Sequence, residues 1–374
     1  MIHRILQDVL ATRLHKKKAL ILLGARQTGK STLLQAFFKD KQDTLWFNGD
    51  NPDVQALFNN ITSTRLAQVL AGKRFLIIDE AQRIENIGLK LKLITDNVAD
   101  IQLVATGSSA FELSNKINEP LTGRKFEYHL YPISYGEMVK HHGLLAERRL
   151  LHQRLMYGYY PEIVTHPENA KELLLQLAGS YLYKDILMWE GIKKPEKLVK
   201  LLQALAFQMG RPVSYNELAQ LCQMDVKTVE KYIQLLEQIF VIFRLNTLSR
   251  NLRNELKSSR KIYFYDNGIR NALIANFTQP ELRMDIGALW ENFLVSERMK
   301  YLHYQGIWTN RYFWRTWEQQ EIDYVEEQDG VLYAYEFKWN VLSKAKIPSS
   351  FIKAYPNSLT KIITPDNFEE FLGV

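Results

Sequence analysis

The chain has 374 residues, 46% hydrophobic and 24% charged, the balance of an ordinary globular protein; its length exceeds what one core usually organises, so two or three domains are expected. The formal charge of +7 is modest for that length and is compatible with a polyanionic partner without requiring one. Cys222 is the only cysteine, which excludes an intramolecular disulfide and cysteine-based zinc fingers and suits a reducing, cytoplasmic setting.

Met1 to Lys18 mixes Arg4, Asp8, Arg13 and three consecutive lysines with apolar residues and reads as an amphipathic helix without the apolar run and cleavage site of a secretion signal. No run of about eighteen apolar residues occurs, so neither a membrane-spanning helix nor a membrane partner is expected. Ala19 to Leu23 reads as a buried strand, Gly24 breaks it, and a helical pattern resumes after Lys30 with Leu33, Leu34, Phe37 and Phe38. Short apolar runs at Thr44 to Phe47, Phe75 to Ile78 and Ile101 to Ala105, separated by amphipathic stretches, predict parallel strands with crossover helices.

Gly24-Ala25-Arg26-Gln27-Thr28-Gly29-Lys30-Ser31 matches G-x-x-x-x-G-K-[ST], in which glycines let successive backbone N–H groups curl around phosphates at a helix N-terminus. Lys30 is expected to reach the outer phosphates of ATP and Ser31 to ligate Mg²⁺, with Thr32 continuing the cradle. A glycine turn without a ligand is the competing reading. The strand Phe75 to Ile78 delivers Asp79, suited to the magnesium shell, and Glu80, suited to orient or deprotonate the attacking water; a surface glutamate favoured by a helix dipole is the alternative for Glu80. Thr106-Gly107-Ser108-Ser109 ends the next strand, so Ser108 either senses the γ-phosphate or caps a helix. Arg124 is a candidate arginine finger for a neighbouring subunit's nucleotide in a homo-oligomer, a hexamer or another ring; a solvated arginine is the plain alternative.

After Tyr131 the pattern becomes helical, including Glu147 to Leu155 and Glu172 to Leu187, as in a lid or connector. Three helical stretches between Glu196 and Leu245, followed by the apolar run Ile239 to Phe243, suggest a winged helix. Ser214 and Asp225 are N-cap candidates for its last two helices. Lys227, Thr228 and Lys231 would then face DNA while Val229, Ile233 and Leu236 hold the core. Such modules also contact proteins, and Glu230 and Glu237 dilute the basic face. Arg244 to Lys261, with Arg250, Arg253, Lys257 and Arg260 against Glu255, is either a phosphate-tracking loop or solvated charge. From about Asp285, a helix, strands around Ile307 to Trp314, Glu321 to Glu326 and Val331 to Trp339, and a final helical segment predict a further α/β core.

With the glycine loop, Leu121-Thr122-Gly123-Arg124 and Leu130-Tyr131-Pro132-Ile133-Ser134 in order, the chain resembles prokaryotic AAA+-type ATPases of the archaeal-ATPase group. Gly158-Tyr159-Tyr160-Pro161-Glu162, Tyr183-Lys184-Asp185-Ile186 and Lys261-Ile262-Tyr263-Phe264-Tyr265-Asp266 extend the resemblance over nearly the whole length. It implies an AAA+-like P-loop ATPase domain, a winged-helix element and a C-terminal domain similar to the restriction-endonuclease fold. One departure is Trp46-Phe47-Asn48-Gly49-Asp50, where the group more often has an acidic pair.

Glu291 on a helix, Asp323 on one strand and Glu336 with Lys338 on another have the sequence order of restriction-type nucleases, and strand alternation puts Glu336 and Lys338 on one face. Glu291, Asp323 and Glu336 are therefore candidate Mg²⁺ ligands with Lys338 beside the attacking water; a surface pair, or a nuclease fold retained for binding, is the alternative. Trp314, Trp317 and Trp339 are either base-stacking platforms or core aromatics.

The expected layout is an AAA+-like domain over residues 1–140, a helical lid over 141–195, a winged helix over 196–262 and a restriction-endonuclease-like domain over 263–374. The expected activity is ATP hydrolysis coupled to DNA handling. The rival is a nucleotide-dependent switch that binds a protein partner through an inactive nuclease-like domain; a metabolite kinase is disfavoured because no acceptor pocket is legible.

Overall fold

A computed structural model describes residues 1–98, 100–107, 117, 120–181, 194–249, 259–342 and 346–374. Ser108, Ser109, Tyr183 to Ile186, and the basic residues Arg250, Arg253 and Lys257 with Glu255 lie outside the described residues. The chain forms two compact units, Met1–Pro132 with Gln238–Phe240, and Ile133–Glu237 with Val241–Val374. The expected divisions at residues 140, 195 and 262 all fall within the second unit.

In the first unit, β1 (Ala19–Leu23), β2 (Thr44–Asn48), β3 (Phe75–Asp79), β4 (Gln102–Gly107) and β5 (Lys125–His129) form a parallel sheet in the order β2-β3-β4-β1-β5. Three of the apolar runs become the inner strands β1, β3 and β4, and Thr44 to Phe47 becomes the edge strand β2; β1 and β4 are wholly buried, and each Leu or Ile taken out of water there contributes roughly 1.5–3 kcal/mol. The edge strands β2 and β5 keep half-exposed positions, which is why Lys125-Phe126-Glu127-Tyr128-His129 carries no apolar run and is not legible as a strand.

Parallel pairing requires crossovers, supplied by the helices Lys30–Phe38, Pro52–Asn59, Ser63–Val69 and Ile87–Asn97. Asn51 and Thr62 cap the second and third of these, accepting from the amides of Asp53 and Arg65. Because all five strands run one way, the segments that follow β1, β2, β3 and β4 emerge at a single carboxyl edge. The N-terminal helix is Ile5–Arg13, which buries Leu6 and Leu10 one turn apart.

The second unit contains a seven-stranded mixed sheet of β6 (Pro212–Val213), β7 (Ile242–Thr247), β8 (Arg260–Phe264), β9 (Asn310–Arg315), β10 (Glu321–Gln328), β11 (Val331–Phe337) and β12 (Leu359–Ile363), in the order β12-β11-β10-β9-β7-β8-β6. One ladder thus runs through residues on both sides of position 262. The run Ile239 to Phe243 enters β7 only at Ile242. Phe240 is left-handed (φ 59°) and the Val241 amide donates to the Leu236 carbonyl at 3.0 Å, closing the helix Val226–Gln238. After β11 come the helices Ser349–Ala354 and Phe368–Phe371, with β12, a strand the sequence reading did not place, between them and paired parallel with β11.

Two of the motif segments meet in this unit. A Cβ at Gly158 would lie 2.1 Å from Asp266 Oδ1, and the Asp266 carboxylate accepts the amides of Tyr159 (2.6 Å) and Ile269 (3.1 Å), the latter capping the helix Asn267–Leu273.

Candidate active site

The glycine loop leaves β1 at the carboxyl edge. A Cβ at Gly24 would stand 2.2 Å from the Leu130 carbonyl oxygen, so only glycine fits where the loop passes the end of β5. Gly29 (φ 91°) turns the chain into the helix Lys30–Phe38 and, having no side chain, leaves the first-turn amides of Lys30, Ser31 and Thr32 without a side-chain cap. That is the backbone preparation for an anion. Thr28 Oγ1 donates to the Ala25 carbonyl at 2.8 Å, tightening the loop, and buried Lys30 donates from Nζ to the carbonyls of Gly24 (2.8 Å) and Ala25 (2.9 Å).

Asp79 stands beside this loop. Ser31 Oγ donates to Asp79 Oδ2 at 2.6 Å and Thr106 Oγ1 donates to Asp79 Oδ1, so two hydroxyls from β4 and the loop helix fix one carboxylate. The donor set, a hydroxyl and a carboxylate side by side, suits a hard cation that takes oxygen ligands. Glu80 follows in the left-handed region (φ 49°), its amide donating to Asp79 Oδ1 (3.2 Å) and Thr106 Oγ1 (3.1 Å), while Gln82 Nε2 donates to Glu80 Oε2 at 2.5 Å. A non-glycine residue held there costs on the order of 1–3 kcal/mol, and Glu80 keeps that conformation because its amide is bonded as above and its carbonyl accepts the Arg83 amide at 3.0 Å. Gly49 approaches the same turn, with its amide 2.8 Å from the Asp79 carbonyl and room for no Cβ against Glu80. Asp50 pairs with Arg83 at 3.2 Å.

Arg124 precedes β5 and its carbonyl accepts the Ala19 amide, which places it at the amino edge of the sheet, opposite the loop of its own chain. Its guanidinium donates to Asp96 Oδ1 at 2.6 Å. The residue missed from the sequence is Arg4. It is buried and donates to the carbonyls of Thr28 (2.9 Å) and Tyr131 (2.7 Å), bracing the loop against the segment beyond β5. An arginine in an amphipathic N-terminal helix gives no signal for such a long-range contact.

In the second unit Ser214 and Asp225 cap as expected: Ser214 accepts the Glu217 amide, and Asp225 accepts both the amide (2.8 Å) and the hydroxyl (2.6 Å) of Thr228. Thr228 therefore uses its hydroxyl proton within the cap. Lys227 and Lys231 are exposed, while Val229, Ile233 and Leu236 are buried. A cleft of about 410 Å³ beside this helix is lined by Lys194, Lys197, Lys231, Thr228 and Tyr232. Glu237 pairs with Arg244 at 2.6 Å.

The C-terminal acids gather around a residue not singled out for this role. Lys261 Nζ, fully buried, lies 2.9 Å from Glu291, 2.6 Å from Glu321 and 3.8 Å from Asp323. Burial opposes its charge, but Glu291, Asp323 and Glu321 outweigh that and hold the ammonium above lysine's ordinary pKa. Burial pushes Glu291 up to about 7 against the pull of Lys261, and also raises Asp323 and Glu336. Glu336 Oε1 accepts from Lys338 at 2.8 Å, and Asp323 Oδ2 accepts the Phe337 amide at 2.8 Å. Among the described residues no group of three or more His, Cys, Asp or Glu side chains is arranged to hold a metal ion. Of the expected metal-site residues, Glu291 and Asp323 stand beside the Lys261 ammonium, and Glu336, whose carboxyl is raised further by the neighbouring Asp323, pairs with Lys338. Trp314 is buried and Trp339 packs on Trp290, so of the three tryptophans only Trp317 is exposed.

Three family models match successive parts of the chain: an AAA domain over residues 16–139, and domains of unknown function over residues 148–280 (DUF8612) and 286–368 (DUF4143). An uncharacterized protein of Mycobacterium tuberculosis is 28% identical over 335 residues, covering 87% of this chain and 71% of the relative. One from Haemophilus influenzae is 25% identical over 282 residues, 68% of each. Among solved structures, the Walker-type ATPase PABY2304 of Pyrococcus abyssi aligns with a TM-score of 0.52 at 15% identity, covering 73% of this chain and 96% of that one, a likeness of fold. With its parallel sheet, glycine loop and AAA-domain match, the first part of the chain has the α/β fold of a P-loop ATPase.

Proposed function

We propose that the chain is an ATP-hydrolysing AAA-type protein that couples nucleotide state to the handling of duplex or branched DNA, with the helices Tyr215–Cys222 and Val226–Gln238 serving as a winged helix beside a nuclease-like C-terminal domain. The observation that carries the first half is the convergence of Ser31 and Thr106 on Asp79, with Glu80 adjacent, at the edge where the glycine loop opens.

In this reading the amides of the Gly24 to Thr32 loop bind the phosphates, and Lys30 exchanges the carbonyls of Gly24 and Ala25 for the outer phosphate oxygens. Ser31 and Asp79 would hold Mg²⁺, which supplies charge neutralisation at the phosphates when bound. Glu80 takes the proton of the attacking water, its backbone fixed by Asp79 and Thr106 so that the carboxylate does not drift. Arg124, at the opposite edge of its own sheet, acts on a neighbour's nucleotide in a ring.

Support for DNA contact comes from exposed Lys227 and Lys231 on a helix whose other face is core, with Lys194 and Lys197 lining the adjoining cleft. A protein-binding switch is the second reading, favoured by exposed Phe207, Leu282 and Met284 around a cleft of about 360 Å³.

The test is Mg²⁺-dependent ATP hydrolysis together with duplex and junction DNA binding as a function of salt. Hydrolysis lost in Lys30→Ala, with DNA affinity that falls steeply with salt and weakens in Lys227→Ala/Lys231→Ala, is expected. No affinity for Mg²⁺-ATP would refute the first half; hydrolysis without DNA binding at low salt would leave the protein-binding switch.

A further inference from the structure

We propose that Lys261 is the resident cation of the C-terminal carboxylate cluster, so that this nuclease-like domain acts through binding contacts and holds no catalytic divalent metal. This narrows the DNA-handling reading and rests on it only for the ligand that the domain would contact.

A restriction-endonuclease-like fold implies a divalent ion held by acids at the positions of Glu291, Asp323 and Glu336, and the arrangement does not fit one. The Lys261 ammonium touches Glu321 and Glu291 at hydrogen-bond distance and stands 3.8 Å from Asp323. A metal liganded at about 2.0–2.6 Å by Glu291 Oε1 and Asp323 Oδ1, the oxygens nearest the ammonium, would compete with it for them, against a like charge.

Lys261 also has no easy way out. It sits inside the sheet, opposite Leu245 of β7 on one side and Pro212 of β6 on the other, and its ammonium lies 5.4 Å from the Phe313 ring centre. Swinging it aside would expose a stem that is now fully buried.

One oxygen of each neighbouring carboxylate is engaged in the same way. Glu291 Oε1 accepts from the Tyr263 hydroxyl (2.6 Å) as well as from Lys261, Asp323 Oδ2 accepts the Phe337 amide, and Glu336 Oε1 accepts from Lys338. Arg315 takes the second oxygen of Glu321 at 3.2 Å. Lys261, Arg315 and Lys338 thus face Glu291, Glu321, Asp323 and Glu336, a cluster that nearly balances its charge from within the chain.

The experiment titrates the full-length chain with Mn²⁺ in the absence of nucleotide and DNA, reading free Mn²⁺ by electron paramagnetic resonance. The wild-type chain is expected to show no stoichiometric site. Lys261→Met is expected to gain one, with affinity higher by about tenfold or more, lost again in Lys261→Met/Asp323→Asn. A stoichiometric wild-type site abolished by Asp323→Asn or Glu291→Gln overturns the proposal, as does a folded Lys261→Met chain that gains none.

Should Lys261→Met fold only with metal, recovery of a cooperative melting transition on adding Mn²⁺ supports the proposal and failure to recover counts against it, while the wild-type titration decides on its own. Neither ATP nor DNA enters these measurements, so their outcome stays separate from that of the ATPase and DNA-binding assays.

Discussion

Replacing Arg4 by methionine keeps an unbranched stem and removes the guanidinium that braces the glycine loop. Two charge-assisted hydrogen bonds are lost, to the carbonyls of Thr28 at 2.9 Å and Tyr131 at 2.7 Å, and both acceptors are left in a buried setting. Hydrogen bonds to charged groups are each worth about 1.5–3 kcal/mol, and because the two share one donor group the joint loss is set at about 3 kcal/mol. For a unit of this size the melting transition should fall by about 10 °C.

The loop is the part released, so the ATP-competent conformation becomes a fraction of the ensemble. If half of the lost energy acts on the loop, ATP affinity falls about tenfold. Differential scanning fluorimetry and titration with a fluorescent ATP analogue read the two effects, and Arg4→Lys, which keeps the charge but not the forked geometry, should recover only part of either. An Arg4→Met chain with unchanged melting and unchanged ATP affinity would refute the bracing argument.

Glu80→Gln should leave ATP binding intact and slow hydrolysis by about 100-fold or more in a single-turnover assay, whereas equal losses in binding would point to a structural role. Gly158→Ala forces a methyl group to within 2.1 Å of Asp266 Oδ1 and should destabilise the second unit by about 3 kcal/mol, seen as a lower urea midpoint; an unchanged midpoint would contradict the packing described. Folding raises the pKa of Glu291 from 4.5 to about 7, so its contribution is complete below pH 4.5 and is lost as pH rises through 7, a change of up to about 3 kcal/mol. Glu291→Gln should flatten the fall in melting temperature between those pH values, and a slope equal to that of the wild-type chain would remove Glu291 as its source.

The sequence by itself determined the nucleotide-site elements whose signals are local. Gly24 to Ser31 states its own conformation through glycine spacing, and β1, β3 and β4 announce burial on both faces through short, mainly apolar runs. The helices around Ser214 and Asp225 were likewise readable, because a cap and an apolar stripe are contacts within a few residues. Strand β5 was not, since an edge strand needs no apolar run, and neither was the turn at Phe240, where the helix-closing bond claims residues that have strand composition.

Only the tertiary structure decided what lies beside what. Arg4 reaches Thr28 and Tyr131 across 24 and 127 residues of sequence, Asp79 meets Thr106 and Ser31 because parallel strands end at one edge, and Lys261 enters the ring of Glu291, Glu321 and Asp323. Spacing along a chain encodes the face of one helix or strand, whereas the identity of a charge's partner depends on where separate strands are brought together. For that reason a sequence that lists three acids in order cannot say whether a metal ion or a lysine stands between them.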